Sequence, residues 1–260
     1  MMNTNPIFYK ALGAEIDVFK QADALKLPLL LKGPTGTGKS RFVEYMSHEV
    51  GKKLITISCH EETSATDLIG RFIIKGAETV WIDGPLSSAV KNGHILYLDE
   101  VAEARPDVIV VIHALTDHRR ELYIDKLGES IKAHPDFLLV ASFNPGYQKV
   151  FKELKPSTRQ RFVALSFDYP TPKIEANILV NETGIDENTA TKLVAIATKI
   201  RNLTELGLTE TVSTRLLVDA AKLIHNGLPK RLAVHVAIVE PLTDELETVQ
   251  ALKDLCDLMI

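Results

Sequence analysis

The chain is predicted to fold as an α/β sandwich around a five-stranded parallel sheet, followed by a small all-helical domain. Three observations carry the prediction. Short apolar runs alternate with helical or irregular stretches through residue 170, a glycine-rich loop joins the first run to a helix, and only helical patterns follow residue 172.

The apolar runs cover residues 27–31, 54–58, 95–98, 137–142 and 163–167. Runs this short and this uniformly apolar suit parallel strands covered on both faces. After the first of them, residues 40–50 place Phe42, Tyr45, Met46 and Val50 roughly on one helical face, and Gly51 marks the stop. Residues 85–92 open on Pro85 and end before Gly93, and residues 106–118 repeat the proline opening, so both read as crossover helices. Past Tyr169-Pro170-Thr171-Pro172 the segments 173–183, 187–206, 214–226, 230–239 and 244–259 are helical patterns separated by Gly or Pro signals. The expected division is therefore 1–171 for the α/β domain and 172–260 for the helical one.

Composition narrows the class. With 260 residues, 45% hydrophobic and 25% charged, the chain has the balance of a globular protein able to build a core. No apolar run approaches the roughly 18–20 residues that span a bilayer, and residues 1–10 lack a basic region followed by an apolar block. A cytoplasmic protein without a membrane partner is expected. Cys59 and Cys256 form no CxxC pair, so neither a disulfide framework nor a zinc site is expected. A net charge of −4 without a long basic tract argues against a nucleic-acid binder acting through its whole surface, and leaves a local basic channel open. His113 and His118 lie five apart on one predicted helix, off the i, i+4 face of a metal pair, and His60-Glu61 lacks the second histidine of HExxH.

The chemistry is concentrated in Gly33-Pro34-Thr35-Gly36-Thr37-Gly38-Lys39-Ser40, a GxxxxGK[ST] loop between an apolar strand and a helix. Glycines at 33, 36 and 38 let the backbone curl so that N–H groups converge on a β-phosphate, Lys39 supplies a point charge, and Ser40 can coordinate Mg²⁺. The positive end of the following helix adds to the anion site.

A second landmark is the strand Ile95-Leu96-Tyr97-Leu98 running into Asp99-Glu100. Asp99 would hold Mg²⁺ directly or through water, and Glu100 would polarise the water that attacks the γ-phosphate. Open α/β sheets bind ligands at the carboxyl ends of their strands, which puts both acids on the edge that carries the phosphate loop. Further on, the run 137–142 leads into Phe143-Asn144-Pro145-Gly146, where Asn144 would orient the attacking water beside Glu100; a plain Asn-Pro-Gly turn explains the same residues.

Loop, Asp-Glu strand and Asn-ending strand in this order resemble the AAA+ ATPases, whose Walker A, Walker B and sensor 1 elements they match. The resemblance implies a P-loop AAA+ sandwich with a helical lid, and ATP with Mg²⁺ as cofactors. Ser157-Thr158-Arg159-Gln160-Arg161-Phe162 is similar to the arginine-finger segment, by which a ring neighbour reaches the γ-phosphate; Arg161, in the Arg-Phe dipeptide, is favoured and Arg159 is the second candidate. Val212-Ser213-Thr214-Arg215 resembles sensor 2, which would make Arg215 a γ-phosphate contact from the lid.

Two insertions sharpen the resemblance. Residues 72–81 read as a hairpin turning at Gly76, and residues 121–124 and 129–132 as a second one flanking Gly128. They look like the helix-2 insert and the pre-sensor-1 hairpin of the MoxR group, and the phrases Thr66-Asp67-Leu68-Ile69-Gly70-Arg71 and Trp81-Ile82-Asp83-Gly84-Pro85-Leu86 resemble its CbbQ/NirQ/NorQ branch. That branch implies a homo-hexameric ring, a partner bearing a von Willebrand factor A domain (CbbO-like), and a metabolic enzyme as client. Reactivation of Rubisco is the favoured client activity and maturation of nitric oxide reductase the alternative, with a nucleic-acid ATPase third. Phe72 and Trp81 either grip a polypeptide or pair across the first hairpin.

Overall fold

The computed structural model describes residues 7–145, 154–203, 208 and 211–260. Gly146 and the end of the expected helix 187–206 lie outside the described residues, as do residues 1–6. The chain divides into two compact units, Met1–Pro34 with Lys39–Phe167, and Thr35–Gly38 with Asp168–Ile260.

The first unit is built on α1 (Glu15–Leu25), β1 (Leu29–Lys32), α2 (Lys39–Glu49), β2 (Leu54–Ser58), α3 (Ala65–Ile69), β3 (Gly70–Lys75), β4 (Glu78–Asp83), α4 (Pro85–Asn92), β5 (Ile95–Asp99), α5 (Pro106–Leu115), β6 (Glu121–Ile124), β7 (Glu129–Lys132), β8 (Leu138–Phe143), α6 (Pro156–Arg159) and β9 (Val163–Ser166). Five of the strands form one sheet in the order β2-β5-β8-β1-β9, and every neighbouring pair is parallel. The three inner strands are the most apolar because both of their faces are covered. Leu29, Leu31, Ile95, Tyr97, Leu138 and Val140 face a core with Phe19 of α1 and Phe42, Val43 and Met46 of α2. Leu30, Leu96, Leu98, Leu139 and Ala141 alternate to the opposite core with Leu86, Ala89 and Val90 of α4 and Val108 and Ile112 of α5. This is the period-two partition of a strand between two helical layers.

Local signals set the ends. Pro85 opens α4 and Gly93 closes it at φ 71°, while Ser64 and Asp67 form a reciprocal capping box at α3. The expected helix 106–118 stops at Leu115, where Thr116 turns its hydroxyl onto the His113 carbonyl at 2.9 Å. His118 therefore stands off the helix that carries His113. Both hairpins form, β3 with β4 and β6 with β7, and Gly76 and Gly128 adopt φ 66° and 65°. Phe72 and Trp81 are direct cross-strand partners with ring centroids 5.1 Å apart, and the Trp81 indole N–H donates to Asp83 at 2.8 Å. Trp81 also packs against the core, whereas Phe72 stays exposed.

Among the described residues the regular elements of the second unit are helical: α7 (Pro172–Thr183), α8 (Glu187–Arg201), α9 (Thr214–His225), α10 (Lys230–Val234) and α11 (Leu246–Met259). Its own core gathers Leu179, Leu193, Ile196, Ala197, Leu217, Ile238 and Leu252. The expected helix 230–239 is split: α10 runs into a π-helical turn, His235–Val239, and then a 3-10 turn, Glu240–Leu242. Pro241 has no N–H to give and its ring crowds the carbonyl four residues back, so the helix widens before it ends.

Candidate active site

The phosphate loop leaves β1 and is shaped by its glycines. Gly33 has φ 151° and passes so close to β9 that a Cβ would stand 2.1 Å from the Phe167 carbonyl oxygen, which leaves no room for another residue. Gly36 and Gly38 take φ 73° and 90°. Lys39 begins α2 and is buried; its ammonium donates to the carbonyls of Gly33 at 2.7 Å and Pro34 at 2.8 Å, which holds the charge inside the curl of its own loop.

Ser40 brings α2 to the end of β5. Its hydroxyl donates to Asp99 Oδ2 at 3.2 Å and lies 3.3 Å from the Tyr97 hydroxyl, which in turn donates to Asp99 Oδ1 at 2.7 Å. Tyr97 and Asp99 alternate along one strand and so share a face. Ser142 on neighbouring β8, completely buried, donates to the same Oδ1 at 2.5 Å and accepts the Glu100 backbone N–H at 3.0 Å. Parallel pairing of β5 with β8 sets Leu98 opposite Ala141, and the next step along each strand brings Asp99 and Ser142 together.

Glu100 closes the strand in the left-handed region, φ 54° and ψ 49°, a strained setting for a residue with a Cβ. Burial raises its carboxyl pKa, Lys39 opposes that rise, and the charges of Asp99 and Glu103 reinforce it; a hydrogen bond from the Asn144 backbone N–H lowers it. Asn144 therefore stands against Glu100 through its main chain. Burial and the charge of Asp99 push the Tyr97 phenol upward, so it remains a donor. Cys59, whose backbone N–H donates to the Asp99 carbonyl at 2.8 Å, has its thiol raised to about 12 by burial, with the charges of Asp99 and Glu100 adding to the effect. It is an inert neighbour of the site.

The oxygens suit a hard divalent cation. Ser40 and Asp99 offer one hydroxyl and one carboxylate from different elements at hydrogen-bond distance, the sparse protein contribution that Mg²⁺ takes when phosphate oxygens and water complete its shell. Among the described residues no group of three or more His, Cys, Asp and Glu side chains is placed to hold a metal by itself.

The three arginines are placed differently: a Cβ on Gly36 of the phosphate loop would stand 3.6 Å from the Arg215 Cβ, whereas the partners of Arg161 lie on other segments. Arg161 follows α6 and donates to the His113 carbonyl at 3.5 Å, 4.0 Å from the Asp117 carboxylate, while Arg159 ends α6 on the surface. Arg215 is exposed in the first turn of α9 in the second unit. Sequence reasoning singled out the loop, Asp99, Glu100 and Asn144; it missed Tyr97 and Ser142. The spacing Tyr97-x-Asp99 was a usable signal, but a serine in an apolar strand carries none until strand order is known.

A parallel sheet of this order, with the glycine-rich loop after β1 and two acids after its third strand in sequence, defines the P-loop fold of the AAA+ class. Residues 28–162 match the AAA domain (dynein-related subfamily), and residues 175–259 match the CbbQ/NirQ/NorQ C-terminal family. The chain is 55% identical to protein NorQ of Paracoccus denitrificans over 95% of its length and 92% of the relative's. It is 53% identical to the denitrification regulatory protein NirQ of Pseudomonas aeruginosa over 97% of each chain, and 52% identical to protein CbbQ of Hydrogenophilus thermoluteolus over 95% and 92%. The chain belongs to the CbbQ/NirQ/NorQ family of AAA+ ATPases.

Among solved structures, the RuvB Holliday junction branch migration motor of Thermotoga maritima superposes with a TM-score of 0.56 over 96% of this chain and 73% of that one. At 14% identity it speaks for the fold alone. No helix among the described residues is long and apolar enough to cross a membrane.

Proposed function

We propose that the chain hydrolyses ATP and spends the energy on remodelling a partner enzyme from within a homo-hexameric ring. The observation that carries the reading is the shared hydrogen-bond network that joins Ser40 of the phosphate loop to Asp99 and, through Ser142, to Glu100. In this reading Gly33, Pro34, Thr35, Gly36, Thr37 and Gly38 wrap the phosphates and Lys39 draws charge from the β- and γ-oxygens. Ser40 and Asp99 would hold Mg²⁺, which would supply positive charge to offset that of the phosphates. Glu100 takes a proton from water as the water oxygen bonds to the γ-phosphorus; the bond from that phosphorus to the bridging oxygen breaks, and ADP and inorganic phosphate leave. Asn144 fixes Glu100, Arg161 or Arg159 of a neighbour meets the γ-phosphate, and Arg215 contacts it from the helical unit.

For the client, reactivation of inhibited Rubisco with a von Willebrand A-domain adaptor and maturation of nitric oxide reductase are two readings of one motor. Identities of 52% to CbbQ and 55% to NorQ support them alike. The deciding experiment measures ATP turnover of wild type and Lys39→Ala with adaptor and either client added. Stimulation by inhibited Rubisco selects the first reading and stimulation by the reductase complex the second; wild-type turnover no faster than that of Lys39→Ala rejects the motor itself.

A further inference from the structure

The second unit hides an ion pair whose hydrogen bonds all converge near one turn. Glu175 of α7 is completely buried, and Arg201 at the end of α8 meets it with two parallel bonds, Nη1 to Oε2 at 2.8 Å and Nη2 to Oε1 at 2.7 Å. The remaining edge of the guanidinium, Nε, donates to the Val212 carbonyl at 2.8 Å. The Thr214 hydroxyl donates to Glu175 Oε1 at 2.6 Å. One face of the guanidinium lies over the Tyr169 ring, 4.1 Å from its centroid.

The pair thus grips the chain on both sides of Ser213, the N-cap of α9, whose hydroxyl accepts the Leu216 N–H at 3.4 Å. The next residue after Thr214 is Arg215. Stability gives a poor account of this arrangement, because two apolar side chains of matching volume commonly serve a buried position as well as an ion pair or better. Geometry gives a better one. A fork of fixed shape, satisfied on every edge, sets the direction in which a helix starts more narrowly than apolar packing does.

We propose that Glu175 and Arg201 are positioning residues for Arg215, holding the first turn of α9 so that its guanidinium is presented at a fixed place. The proposal rests on the ATPase reading and on Arg215 acting at the phosphates.

The test is a double-mutant cycle on ATP turnover by the assembled protein, with kcat and KM measured for wild type, Thr214→Val, Arg215→Ala and the double variant. Thr214→Val removes only the hydroxyl that touches Glu175. It is expected to lower kcat by about tenfold with little change in melting temperature, and the double variant is expected to be no slower than Arg215→Ala alone. Multiplying losses, or a Thr214→Val kcat equal to wild type, would overturn the proposal. A second variant replaces the pair with Glu175→Met and Arg201→Met together, which such sites tolerate where a single replacement strands a charge. It is expected to keep its melting temperature and fall to the turnover of Arg215→Ala; wild-type turnover in the folded double replacement overturns the assignment. A wild type without turnover would instead defeat the ATPase reading, a result readily told apart from loss of coupling.

Discussion

The Ser142 hydroxyl accepts the backbone N–H of Glu100 at 3.0 Å while donating to the Asp99 carboxylate at 2.5 Å. One buried oxygen on β8 therefore sets both acids at the end of β5, and it holds Glu100 in a left-handed backbone that the residue would not choose alone. Ser142→Ala leaves that N–H without its acceptor, which costs about 1–3 kcal/mol. At roughly 2–4 °C per kcal/mol for a chain of this size, thermal unfolding should fall by several degrees. Turnover should fall by more than the loss of folded protein explains, because Glu100 loses its fixed direction.

Glu100→Gln separates chemistry from binding. Loss of a positioned general base lowers turnover by about 10²–10⁴-fold, measured as phosphate release, while affinity for a fluorescent ATP analogue should stay near wild type. Burial disfavours the charged carboxylate here, so the glutamine variant should melt at or above the wild-type temperature. A lower melting temperature would mean that the charge stabilises the fold.

The same raised pKa has a sign in solution. In its proposed role as base Glu100 works as the carboxylate, and a pKa above the ordinary glutamate value means that this form is lost at a higher pH than a free side chain would lose it. The acid limb of the kcat/KM profile, which reports the free enzyme, should therefore lie above the ordinary glutamate pKa of about 4.3 and vanish in Glu100→Gln. For stability the folded form binds its proton more tightly than the unfolded one, so this group's contribution declines as pH rises through the folded pKa.

Much of the sheet domain was legible because its signals are local. Residues 54–58 and 85–92 appear with the predicted bounds, and Gly76 and Gly128 turn the two hairpins as their composition requires. Helix α1 was not anticipated; its buried side is little more than Phe19 and Ala22, too thin a stripe to announce itself. Strand order was beyond reach, and with it Ser142, whose value depends on β8 lying beside β5. The Glu175–Arg201 pair was equally hidden, since 26 residues separate the partners and no periodicity links them. The phosphate loop shows the reverse case: in its proposed role the spacing follows the shape of a phosphate ligand, so the motif is legible without the fold.

Lys39→Ala should act on binding. Its ammonium sits among the carbonyls of Gly33 and Pro34, so removal strips the loop of its charge and of two bonds that shape it. Titration with the fluorescent analogue should show affinity weakened by at least tenfold, the equivalent of about 1.4 kcal/mol, with turnover lost in proportion. Unchanged affinity would exclude this loop as the phosphate site.

Arg161 offers the sharpest distinction between a site made by one chain and a site shared by two. Within its own chain it reaches the His113 carbonyl and the neighbourhood of Asp117, away from Ser40, Asp99 and Glu100. If its guanidinium serves the next protomer, Arg161→Ala should lose about 10³–10⁵-fold in turnover, as in other systems with a trans-acting arginine, while binding nucleotide normally. A protomer carrying Arg161→Ala still has a complete pocket, and one carrying Glu100→Gln still has a complete finger. Neither should work in a uniform ring, yet in mixed rings some Arg161→Ala pockets will sit beside a Glu100→Gln neighbour that supplies the missing guanidinium. Mixing the two inactive proteins should therefore restore measurable phosphate release that peaks near equal proportions. If assembly is intact and mixing restores nothing, Arg161 acts within its own chain or not at all, and the same exchange with Arg159→Ala then tests the second candidate.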